Sequence, residues 1–226
     1  MTFVFLALLS LFYYVYAFIE LTPIDYFSTF AIKFLHWPVK DVSRLMSVFF
    51  GTLCAGRFLG IPLSFVLRPR TMIIVNLCLT TVAFVILLPV QRISELMWAS
   101  AALSGIGLST TFATAVLWAA ESVTISARVA SVVIAAASFG SVIQPQIVGR
   151  LFDEPAAGGP MSLVYGLVTA ALVHDVLFAC MSVFVSRCPS DYRSAALQLP
   201  ETVPVVNAVS SAQVISTDEI EPEPSN

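Results

Sequence analysis

FYYVYAFIELTPIDYF, residues Phe12–Phe27, begins inside a long apolar segment and then admits Glu20, Pro23 and Asp25. A charged side chain at the centre of a bilayer costs at least about 2.5 kcal/mol unless a partner or water meets it. A proline inside a helix removes a donor and frees a carbonyl that a neighbour must satisfy. Such a stretch lines a cavity or holds a structural ion pair. Tyr13, Tyr16, Glu20 and Ile24 share one helix face by their spacing. Asp25 lies about 140° away on an ideal helix, and a break at Pro23 is expected to re-aim it.

Composition sets the surroundings. The chain has 226 residues, 58% of them hydrophobic and 11% charged, against about 25% charged in a soluble domain. The net charge of -3 comes largely from Asp218, Glu219, Glu221 and Glu223 in the tail, so no nucleic-acid partner is expected. Cys54, Cys78, Cys180 and Cys188 form no CxxC or metal spacing and read as buried small residues. The N-terminus lacks the basic region of a signal peptide and reads as a spanning helix beginning almost at Met1. That abrupt start leads to the expectation of further chain upstream.

A spanning helix needs about 20 apolar residues. Six segments qualify: about Phe3–Leu35, Leu45–Leu67, Thr71–Val90, Leu96–Ala120, Val129–Gly149 and Met161–Val185. The expected fold is an all-α membrane protein: a six-helix transmembrane bundle over 1–186 and a disordered cytosolic tail over 187–226. Lys and Arg tie by count between the two sides, so the positive-inside rule does not orient the helices.

The third and sixth spans are dominated by large apolar residues and read as lipid-facing. The fourth carries Ser100, Ser104, Gly107, Thr111, Thr114 and Trp118 on one face. The fifth carries Ser131, Ala135, Ser138, Val142, Pro145 and Gly149, with Gln144 and Gln146 alongside. In the second, Gly56 and Gly60 have a close-packing spacing with Arg57 between them. Helix packing alone accounts for small residues, but it does not require Trp118, Gln144 or Arg57. Tyr13, Tyr16 and Glu20 fit a polyhydroxylated ligand: tyrosine offers an apolar face and a hydroxyl, and a carboxylate accepts hydrogen bonds, takes a proton or holds a cation. The rival role for Glu20 is a structural pair with Arg57. His174 and Asp175 diverge by about 100° on a helix and read as packing residues. Arg68-Pro69-Arg70 reads as a gate or topology element. No nucleophile elbow, phosphate loop or metal-ligand cluster is present in the sequence, so no enzyme is expected.

The run GTLCAGRFLGIPLSFVLRPRTMI, Gly51–Ile73, resembles the eighth and ninth helices of the major facilitator superfamily with their short basic cytosolic turn. SFGSVIQPQIVGRLFD, Ser138–Asp153, is similar to its eleventh helix, and Glu121 and Arg128 resemble its intracellular charge network. Within that superfamily, YVYAFIE, GTLCAGRFLGIPLS with LRPRTM, and STTFATAVLWAAE are most similar to the branch of sodium-dependent glucose transporter 1 and major facilitator domain-containing protein 4. The resemblance implies that the six spans are helices seven to twelve, with Arg68, Arg70, Glu121, Arg128 and the tail in the cytosol. It implies sugar transport by alternating access, with Na+ as a coupling ion near Glu20 and no other cofactor.

The substrate-binding set expected on these grounds is Tyr16, Glu20, Arg57, Thr111, Thr114, Trp118 and Gln144. The gating set is Arg68, Arg70, Glu121 and Arg128. Expected partners are a small sugar, the lipid bilayer, and a missing N-terminal half or a second half-transporter chain. The expected location is the plasma membrane, as a multi-pass protein. Rival functions are a non-transporting membrane partner, an inactive truncated fragment, or a transporter of a nucleoside or organic acid.

Overall fold

The computed structural model describes residues 2–122, 127–153 and 159–187. The expected tail lies outside them except for Arg187, which ends a helix. The helices are α1 (Thr2–Lys33), α2 (Val39–Val66), α3 (Pro69–Ile86), α4 (Leu96–Ser109), α5 (Thr111–Ser122), α6 (Ala127–Asp153) and α7 (Met161–Arg187). Among the described residues, six helical units are long and apolar enough to cross a membrane, and α4 with α5 forms the fourth. Among the described residues there is no strand.

Helix ends depart from the hydropathy boundaries for a simple reason. Hydropathy marks where apolar residues begin, whereas a helix begins where the backbone can. α2 starts at Val39 behind Pro38 and carries Lys40, Asp41 and Arg44 in its first two turns. Arg44 pairs with Asp41 at 3.3 Å. α6 likewise continues through Arg150 to Asp153.

The break expected at Pro23 does not occur. α1 runs unbroken through it, and the Thr22 hydroxyl donates to the Phe18 carbonyl at 2.6 Å in the adjoining turn. Asp25 therefore stays where an unbroken helix puts it, exposed. The interruption falls instead in the fourth span, at Thr110.

Packing repeats across the two halves of the bundle. α2 packs on α4 as α6 packs on α1, α3 packs on α4 as α7 packs on α1, and α3 meets α7. Exchanging the first three spans with the last three preserves this pattern, as an internal structural repeat requires. Lipid tails are as apolar as leucine, so close backbone approach and polar contacts drive this packing. A Cβ on Gly105 would meet the Phe49 carbonyl at 2.7 Å, and one on Gly107 would meet the Thr80 nitrogen at 2.9 Å. Gly56 and Gly60, the close-packing pair, admit Ser109 and Thr110. The serine-threonine stripe of the fourth span is buried along its length.

Two expectations about facing are corrected. Cys54, Cys78 and Cys180 are exposed, because an apolar residue on a spanning helix is as stable against lipid as in the core. On α6, Ser131, Ala135, Ser138, Val142 and Pro145 face away from the bundle, while Val133, Gly140, Gln144 and Val148 are buried. Gly140 brings α6 against the Tyr14 carbonyl of α1, where a Cβ would sit at 2.6 Å.

Gly105→Ala is therefore expected to destabilise the bundle by about 1–3 kcal/mol through overpacking against backbone. Gly51→Ala, which meets nothing within 4 Å, should be neutral or slightly stabilising through helix propensity. Thermal unfolding of both detergent-solubilised variants beside the parent checks the contrast, and equal shifts would contradict it.

Candidate functional site

A cavity of about 490 Å³ lies between α1, α2 and α5. α1 contributes Tyr16 and Glu20, one turn apart on its polar face. α2 contributes Arg57, Gly60, Ile61 and Ser64, and Met72 of α3 closes one corner. Ser109, Thr110, Phe112, Ala113, Thr114 and Leu117 supply the wall from the fourth span. Arg57, Ser64, Ala113 and Leu117 are exposed, so the cavity is open on this face.

Glu20 is half-buried and Arg57 exposed. They lie within electrostatic reach of each other but form no ion pair within 4.0 Å. The structural clasp between α1 and α2 considered from sequence is not made. The two charges instead stand on separate walls of one cavity.

The wall is built around the interruption at Thr110, whose backbone sits at φ -116° and ψ -1°. Carbonyls on both sides of the break accept hydroxyls. Ser109 donates to Ile106 at 2.6 Å and Thr111 to Gly107 at 2.7 Å. Tyr16 donates to Leu108 at 3.3 Å and Thr114 to Thr110 at 2.8 Å. Tyr13 donates to Phe112 at 3.1 Å. The Phe112 ring meets Tyr13 edge-on at 4.9 Å. Helix breaks survive at membrane depth only when such groups are satisfied internally.

Of the seven binding candidates, Tyr16, Glu20, Arg57 and Thr114 line this cavity, and Thr111, Trp118 and Gln144 do not. Thr111 is buried. Trp118 packs between Phe5 at 6.2 Å and Phe178 at 5.1 Å. Gln144 is fully buried on α6; its amide donates to the Thr22 hydroxyl at 3.1 Å, and its Oε1 has no partner among the described residues. Of the four gating candidates, Arg68, Arg70 and Glu121 are exposed, and no ion pair joins them among the described residues. The Arg128 side chain lies outside the described residues.

His174 and Asp175 diverge as helix geometry requires. His174 stacks on Phe12 at 4.1 Å, while Asp175 accepts a hydrogen bond from Thr81 at 2.8 Å across α3 and α7. Sequence reasoning missed Thr110, Ser109, Ser64 and Asn76. Asn76 is buried on the third span, and its amide donates to the Thr110 hydroxyl at 2.9 Å. A lone asparagine in an apolar run was its available signal. Among the described residues, no cluster of His, Cys, Asp or Glu could hold a metal ion.

No family model matches the chain, and no solved structure matches it. Curated relatives do. Sodium-dependent glucose transporter 1 of Danio rerio is 30% identical over 150 residues, covering 66% of this chain and 25% of the relative. The Homo sapiens protein of that name is 31% identical over 148 residues, covering 65% and 28%. Major facilitator superfamily domain-containing protein 4A of Mus musculus is 27% identical over 159 residues, covering 70% and 30%. The matched region thus spans about a quarter of the length of the first of these relatives. With its six spanning helices, the chain belongs to the major facilitator superfamily of membrane transporters. Within it, the chain matches the C-terminal half, in the branch of sodium-dependent glucose transporter 1 and domain-containing protein 4.

The placement of Trp118 leads to a test. Trp118→Ala should cost about 3–5 kcal/mol of stability through loss of its contacts with Phe5 and Phe178, and Trp118→Phe less than about 1.5 kcal/mol. Fluorescence-monitored thermal unfolding distinguishes the two, and a fully stable Trp118→Ala would remove the packing role.

Proposed function

We propose that the chain forms one half of a sugar transporter that works by alternating access, with a glucose-like substrate and Na+ carried as co-substrate. The observation supporting this is the open cavity that brings together Tyr16, Glu20, Arg57 and Thr114. A polyhydroxylated ligand needs acceptors, donors and an aromatic or apolar surface within a few ångströms. Glu20 and the Thr114 hydroxyl accept, Arg57 donates, and Tyr16 and Phe112 supply ring surface. Glu20 is also the carboxylate that would meet a cation. The names of the relatives, sodium-dependent glucose transporters, supply the choice of sugar and ion.

The cavity has walls from α1, α2 and α5 and is open opposite them. In this reading a second six-helix half, on an N-terminal segment or on another chain, completes the site near the midplane. Arg68, Arg70, Glu121 and Arg128 then act at the cytosolic end as the inner gate, and the protein works at the plasma membrane. Thr111, Trp118 and Gln144 would act on substrate only after a rearrangement that brings them to the cavity.

Uptake of labelled glucose into cells expressing the protein, alone and together with the part of the Danio rerio relative outside the matched region, tests the proposal. Uptake should require Na+, and unlabelled glucose should compete better than nucleosides or organic acids. Glu20→Gln should lower it at least about tenfold, the equivalent of one charge-assisted hydrogen bond. Uptake that ignores Glu20→Gln would remove that residue from the site, and absence of uptake in both settings would refute the transport reading.

A further inference from the structure

The fourth span breaks at Thr110 without a proline, among hydroxyls of its own that bond the ladder carbonyls of Ile106 and Gly107. Sharp helix interruptions arise at proline, at Gly/Ser pairs, at bulges, or where a side chain inserts into the ladder. The run Leu108-Ser109-Thr110-Thr111-Phe112 holds no proline and no glycine. Neighbouring helices hold Thr110 itself. The Thr110 hydroxyl accepts the Asn76 amide at 2.9 Å. The Thr110 methyl fills the space against Gly60, where any Cβ would collide with it. The Thr110 carbonyl accepts both the Thr114 nitrogen at 2.9 Å and the Thr114 hydroxyl at 2.8 Å. Threonine serves twice here, its hydroxyl for Asn76 and its methyl against Gly60.

Asn76 stands out on its helix. The outer face of α3 is apolar, with Ile74, Val75, Val82 and Val85 exposed. Asn76 is buried and reaches across to a residue that lines the cavity. Everything beyond Thr110 on that wall, Phe112, Ala113, Thr114 and Leu117, belongs to α5, whose direction is set at the break.

We propose that Asn76, from outside the cavity, is a positioning residue for it: through Thr110 it fixes how the fourth span is interrupted and so where α5 presents its wall. Asn76 touches no ligand in this arrangement. The inference rests on the cavity described above and is independent of what the cavity carries.

Thiol accessibility tests it in the full chain in native membranes. With Cys54, Cys78, Cys180 and Cys188 changed to serine, one reporter, Ala113→Cys, reads the α5 wall and another, Ser64→Cys, reads the α2 wall of the same cavity. Asn76→Leu should change the rate of reaction with a membrane-impermeant thiol reagent at position 113 by about tenfold, the bias that one hydrogen bond supplies. The rate at position 64 should stay within about twofold. Thr110→Val, which keeps the shape and loses the hydroxyl, should reproduce the effect and add nothing to Asn76→Leu. Thr110→Ser, which keeps the hydroxyl, should restore most of the parental rate. If Asn76→Leu does not reach the membrane, the Thr110 pair decides alone. An unchanged rate at 113, or equal changes at 113 and 64, would overturn the proposal. Because no transport is measured, failure here is separate from failure of the sugar reading, which uptake decides.

Discussion

Backbone carbonyls without water are the constraint on which this bundle depends. At membrane depth each freed carbonyl must find a donor inside the protein. Around Thr110 the donors are hydroxyls of the fourth span itself and of Tyr13 and Tyr16 on α1. The tyrosines therefore join α1 to the broken span while their rings crowd Phe112. Loss of water makes the break expensive, and satisfying it joins the first span to the fourth. The cavity forms beside that junction.

Which surfaces meet lipid follows from the same scarcity of partners. The exposed faces of α3 and α7 carry Ile74, Val75, Val82, Leu172, Val173 and Val176. Their polar residues Asn76, Thr81, His174 and Asp175 turn inward or lie half-buried between helices. The exposed faces of α2 and α6 carry Arg57, Ser64, Ser138 and Gln146 among their apolar residues. An arginine in a spanning segment needs water or protein beside it. Trp37 and Trp98, stacked at 5.7 Å near the ends of α1 and α4, have the amphipathic character of interface residues.

The spans were legible because length and apolarity are what a bilayer selects. The polar face of α1 was legible because Glu20 and Tyr16 recur at helical spacing. The break was not. Pro23 advertises one that α1 absorbs, with a hydroxyl bond at Thr22 in the adjoining turn, whereas Thr110 has no proline beside it and its contacts with Gly60 and Asn76 lie on α2 and α3. Gly60 and Asn76 lie 50 and 34 residues before Thr110 in the chain, and only folding brings them together. The cysteines were misjudged for another reason: in lipid an apolar side chain gains little by turning inward, so apolarity carries no facing information. Gln144, Trp118 and Thr111 were expected on the cavity and are buried in helix seams instead, because spacing does not separate a seam from a cavity wall.

The cavity also has a reason to exist where it does. Consecutive spans usually pack together, yet α1 leans chiefly on α6 and α7 while α2 leans on α4. The internal repeat pulls the two helices towards different neighbours, and the space left between them is where Glu20 and Arg57 stand apart. A direct ion pair there would close the gap and turn two costly groups into a clasp. Held apart, the two charges stand on separate walls of one open volume.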